Sequence, residues 1–213
     1  MLGRLIDLGN PVAHDHPLNQ GLVAWWLPLP NNQGGGTLFD IEGRFNGTLT
    51  NGPTWVPGPS GFAAVHLARA SNHHVTTPDD SGLDFGTGSF AVAALFRKAS
   101  NGIFGGLVSK VDSVDVAGWT LVVNSDNTVT FYCVQTSSNV ATSSTTITHT
   151  LWHVAHGYRN GTHVKLFVDG VEVGSASDTA RNVNNAQSLT SGPYRSGATT
   201  TNMFDGDIGG VWV

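Results

Sequence analysis

The two glutamates of this chain, Glu42 in DIEGR and Glu172 in GVEVG, are where acid–base chemistry would first be sought. Glycosidic hydrolysis places two carboxylates on either side of one bond, one as acid and one as base or nucleophile. Neither glutamate has a carboxylate two or four residues away on a shared strand face; the nearest acid, Asp40, stands two residues before Glu42 in a loop. Nine histidines invite a proton-transfer role. His153 and His156 are three apart, however, so on a strand they point to opposite faces. His14 and His16 fall in the N-terminal segment, and His73 and His74 open a strand. Gly-x-Ser-x-Gly, His-Glu-x-x-His and phosphate-loop patterns do not occur. The expectation is a protein that is not an enzyme.

The remaining chemistry is aromatic. Sugar rings stack on exposed indole and phenyl faces, and Trp55, Phe104, Trp119 and Tyr194 sit where loops or rims are expected. The adjacent pair Trp25 and Trp26 is different, because successive strand residues face opposite sides and cannot make one platform. Leu22, Ala24 and Trp26 share one apolar face, and Val23, Trp25 and Leu27 the other. One of the two indoles is therefore expected in the core and the other under residues 1–19 or at an interface.

The elements that position these residues are strands. Only 12% of the chain is charged, with three lysines and two glutamates, while Thr, Ser, Val, Asn and Gly abound. That composition disfavours helices and suits pleated, half-buried surfaces. Turn signals recur every eight to twelve residues (NNQGGG, PDDSG, GTG, NSDN, RNG, VDGV, TSGP), the spacing of a sandwich or barrel. Strands are expected near 21–27, 47–50, 63–68, 73–77, 89–97, 105–110, 118–124, 128–135, 140–147, 151–158, 163–168, 171–177 and 205–213. The clearest hairpin is VKLFVDGVEVGSAS, turning at Asp169-Gly170. The fold class is all-β: an antiparallel two-sheet β-sandwich of jelly-roll type over residues 20–213, preceded by a short arm, residues 1–19.

Net charge is −5 and no basic cluster exceeds Arg97-Lys98, which argues against nucleic acid as a partner. No apolar run reaches the ~18 residues of a membrane span. The first twenty residues have no uninterrupted apolar core, so synthesis in the cytoplasm without a signal peptide is expected. The single cysteine, Cys133, excludes an intrachain disulfide and reads as a strand residue.

Four stretches carry a family resemblance: GLVAWWLPL with the following FDIEGRFNGTL, HHVTTPDDSGLDFGTGSFAVAALFR, LWHVAHGYRNGTHVKLFVDGVEVGS and FDGDIGGVWV. Together they resemble the laminin G-like branch of the concanavalin A-like lectin/glucanase superfamily. The resemblance implies a jelly roll whose first and last strands lie side by side. It also implies a possible calcium site at the sandwich rim, since relatives hold one such ion through Asp side chains and backbone carbonyls. The candidate ligands are Asp79, Asp80 and Asp84, Asp112 and Asp115, with Asp205 and Asp207 at the closing strand; the alternative is that each caps a turn. Gly209 departs from the acidic residue relatives carry there. Calcium apart, no cofactor is expected. Fold does not fix function, and three classes compete. The leading expectation is a non-catalytic bacteriophage virion surface protein, a capsid decoration module that docks on a shell protein through its arm, with Leu5, Ile6, Leu8 and Trp25 as interface residues. It would be a homo-oligomer, a trimer, on the virion surface. The alternative is a carbohydrate-binding lectin module, and third comes a glycan-active enzyme.

Overall fold

The computed structural model describes residues 20–29, 35–111, 117–142, 146–179, 181–194 and 202–213. Among these the chain forms sixteen strands: β1 Trp25–Trp26, β2 Thr37–Leu38, β3 Gly47–Thr50, β4 Thr54–Pro57, β5 Ala63–Leu67, β6 His74–Thr77, β7 Phe90–Lys98, β8 Gly105–Val111, β9 Ala117–Val123, β10 Val129–Gln135, β11 Ser137–Thr142, β12 His153–Arg159, β13 His163–Val168, β14 Val171–Ser177, β15 Leu189–Gly192 and β16 Gly206–Trp212. Two antiparallel sheets result. The first runs β14-β13-β12-β7-β16-β5-β4, with β1 also on β16; the second runs β11-β10-β9-β8-β15-β6-β3-β2.

Period-2 alternation explains why the sheets stack. Phe90, Val92, Ala94 and Phe96 of β7 point inward, and so do Ala155, Val164 and Leu166 of β12 and β13. From the second sheet Trp119, Leu121, Phe131 and Cys133 meet them. The Phe131 ring presses so closely on β12 that a Cβ on Gly157 would lie 2.4 Å from it. Within this core Arg159 and Asp178, both with wholly buried side chains, form an ion pair at 3.0 Å. Burial pushes the Cys133 thiol up to about 12, so it stays protonated and inert.

The expected hairpin is present. β13 and β14 pair antiparallel around Asp169 and Gly170, which adopt φ of 50° and 83°, the twist-matched turn. Residues 37–38, 54–57 and 189–192 are strands that the alternation does not reveal, being short and rich in Thr and Gly. The 21–27 stretch contributes only a two-residue strand. It is fixed by Asp40, 3% exposed, whose carboxylate accepts the backbone N–H groups of Trp25 (2.8 Å), Glu42 (3.2 Å), Arg44 (3.1 Å) and Phe45 (3.1 Å). The first and last strands do lie side by side, Trp25 opposite Trp212 and Trp26 opposite Val211.

Filling the space above Gly157 overpacks the core. Gly157→Val is expected to lower stability by about 1–3 kcal/mol, read as a lower urea midpoint at unchanged slope.

Candidate functional site

Registers across the first sheet arrange its outer face in rows. Trp25, Trp212, Ala93, His156 and Phe167 are successive cross-strand partners on β1, β16, β7, β12 and β13. Trp25 stacks on Trp212 with ring centroids 6.0 Å apart and planes 18° apart, and His156 stacks on Phe167 at 5.4 Å and 25°. Ala93 between them is small. Trp212 and His156 stand two strand spacings apart, about 10 Å, and the gap is the floor of a trough of about 730 Å³. Val23, Phe85 and Val154 complete its walls. Burial lowers the pKa of His156, so the ring is held neutral in this apolar setting.

A second row is polar. His66, Asp207 and Arg97 are direct partners on β5, β16 and β7. Arg97 donates from Nε (2.9 Å) and Nη2 (2.7 Å) to Asp207 Oδ2, while His66 Nδ1 donates to Oδ1 at 2.8 Å. The Arg97 guanidinium lies 5.0 Å from the centroid of the Trp152 ring. That indole reaches across Leu95 onto β16, where a Cβ at Gly209 would come within 3.0 Å of it. Gly209 sits at a bulge in β16. A side chain at this residue would crowd both the Trp152 indole and Leu95.

The expected site residues disperse. Trp119 is fully buried among Phe85 and Phe90, so it belongs to the core and cannot stack on a ligand. Trp55 is half-buried, packs against the core and donates Nε1 to the Gly35 carbonyl. Phe104 and Tyr194 do come together, 5.1 Å apart, with Tyr132 at 6.3 Å from Tyr194, but on the second sheet. The paired tryptophans face opposite sides as expected: Trp26, 2% exposed, enters the core and donates Nε1 to the Phe45 carbonyl, while Trp25, 7% exposed, faces outward against Trp212. Leu5, Ile6 and Leu8 lie outside the described residues, as do Asp112 and Asp115.

Those of the proposed metal-binding aspartates that are described have protein partners. Asp79 and Asp84 converge on the ammonium of Lys110, at 2.8 and 2.9 Å, which also donates to the Asn185 carbonyl at 2.7 Å. Asp80 accepts the Gly82 N–H at 2.8 Å, and Asp205 accepts that of Arg69 at 3.1 Å. Among the described residues no group of three or more His, Cys, Asp or Glu side chains could hold a metal. The Lys110 side chain is completely buried. Its three oxygen partners clamp the loop that carries Phe85 into the trough wall.

Residues 69–213, over half of the chain, match the family described as the concanavalin A-like lectin/glucanases superfamily, through its laminin G type. The chain belongs to that family. No curated protein matches it significantly in sequence. Solved structures share the fold of this laminin G-like domain at low identity. The binding domain of Paraclostridial Mosquitocidal Protein 1 is similar with a TM-score of 0.69 and 16% identity, over 90% of this chain and 48% of that one. Domain 4 of AbnA, a GH43 extracellular arabinanase from Geobacillus stearothermophilus solved with arabinotriose, gives 0.68 and 17% over 90% of both chains. The binding domain of Botulinum Neurotoxin DC in complex with SialylT gives 0.62 and 13%, over 92% and 47%. The chain thus spans about half the length of the toxin binding domains and nine-tenths of the arabinanase domain.

Two measurements check this geometry. Lys110→Met strands two carboxylates; because Asp79 and Asp84 are 37% and 22% exposed, the loss should be about 2 kcal/mol, below the 3–5 of a fully buried pair, in thermal or urea unfolding. His156 has a lowered folded pKa, so between that value and about 6.5 the unfolded chain binds a proton that the folded one does not. Stability should therefore fall as pH drops below about 6.5 and the His156 contribution should level off below the folded pKa. His156→Phe should remove that part of the slope in urea titrations from neutral to mildly acidic pH.

Proposed function

We propose that this domain is a non-catalytic carbohydrate-binding module that holds its ligand on the outer face of the first sheet. The observation that carries the reading is the row Trp212, Ala93, His156 and Phe167, where aromatic rings flank a gap floored by a small residue. Aromatic faces bind the apolar C–H faces of sugar rings, and polar groups at the margin orient the hydroxyls. The similar solved structures support it, being toxin binding domains and an arabinanase domain solved with arabinotriose.

Binding rather than turnover is favoured by the state of the carboxylates on this face. Asp207 is tied to Arg97 and His66, and Glu172 accepts Lys165 at 2.9 Å. A general acid has to be free to carry a proton. The docking role expected of residues 1–19 on a virion shell falls outside the described residues, and the binding domains among the similar structures give the glycan alternative the better support.

The test is a glycan array followed by calorimetry on the best ligand, using the whole chain. Trp212→Ala should weaken binding at least tenfold while Phe104→Ala, on the other sheet, leaves it unchanged. A flat array, or loss through Phe104 alone, sinks the reading.

A further inference from the structure

We infer that the His66–Asp207–Arg97 row, with Trp152 beside it, is a subsite for an uncharged saccharide ring, and that the face discriminates against acidic glycans; this rests on the carbohydrate-binding reading above. The protonation pattern follows from the partners. A carboxylate only accepts, so His66 Nδ1 carries the proton it gives to Asp207 Oδ1, which leaves Nε2, without a partner among the described residues, as the ring's second polar atom. Arg97 spends Nε and Nη2 on Asp207. Its Nη1 has no partner among the described residues and is a fixed donor. His66 and Arg97 are each about a third exposed, at 35%, whereas Asp207 is at 10%. The surface therefore offers an imidazole nitrogen and a guanidinium donor on strands two spacings apart, about 10 Å, with the carboxylate sunk between them.

A hydroxyl-bearing ring matches that pair, because each hydroxyl both donates and accepts. Trp152, held under the guanidinium, supplies the flat apolar edge next to it. An anionic group does not match. Arg97's charge is already neutralised at 2.7 Å, so a carboxylate or sulfate placed here would lose its hydration and meet the Asp207 carboxylate. The same holds along the rest of the strands of this face: the formal charges on their outward side chains are Arg97 with Asp207 and Lys165 with Glu172, two closed pairs. The nearby exposed cation Arg44, after β2, donates Nη2 to the Val23 carbonyl at the trough's lip at 2.7 Å and is a side chain placed to greet an acid.

The experiment is calorimetry with the whole chain on arabinotriose and other neutral oligosaccharides, and on matched oligosaccharides carrying sialic acid or sulfate, at low and high salt. Neutral ligands are expected to bind with affinity changing less than about twofold between the two salt conditions, since no net charge is screened, and the acidic versions at least tenfold more weakly. His66→Ala, which leaves the Arg97–Asp207 pair intact, should cost at least tenfold; Arg97→Met should do the same, with circular dichroism confirming that it folds. Preferential, salt-sensitive binding of acidic glycans, lost in Arg44→Gln, overturns the inference and keeps the binding reading. Neutral binding that needs Trp212 but is indifferent to His66→Ala also overturns it. Failure of every saccharide, neutral and acidic, removes the underlying reading instead.

Discussion

The outer face depends on one strand finding its place: β16, which closes the first sheet by hydrogen-bonding between β5 and β7 while β1 pairs with its far end. Its partners come from the start and the middle of the chain, so the face exists only once segments over a hundred residues apart have met. Asp207, Gly209 and Trp212 then fall on the outer side at successive levels: the polar row, the seat of the Trp152 indole and the aromatic row. Because each residue uses the same strand, the bulge between Ile208 and Gly210 sets the relation of all three.

The fold was largely legible in the sequence because the long strands declare themselves. Nine of them run for six residues or more, and Asp169-Gly170 marks its turn by the positive φ that only a few residue types adopt. The strands that escaped notice, Thr37–Leu38, Thr54–Pro57 and Leu189–Gly192, are held by pairing to neighbours and carry little pattern of their own.

The site was far less legible, and for a physical reason. Its members, Trp25, His66, Arg97, Trp152, His156, Phe167 and Trp212, become neighbours through sheet register, which no local window encodes. Trp119 misled because an indole says nothing about which side of a strand it occupies; it lies inward with Phe90. Two signals were nevertheless present. One was the glycine pair Gly209-Gly210 in a closing strand, where a missing side chain means that another group needs the space. The other was the parity of His153 and His156, which puts the first against Asp169 and the second in the trough.

The aspartates that suggested a metal lead to a different consequence. A dissolved ion occupies its site according to its concentration, and a chelator or a dilute medium can empty it. An ammonium carried on β8 is covalently part of the molecule, present at an effective concentration that no surrounding changes. The loop bearing Phe85 is thus latched by a ligand that cannot diffuse away, and no chelator can strip it from the trough wall it shapes.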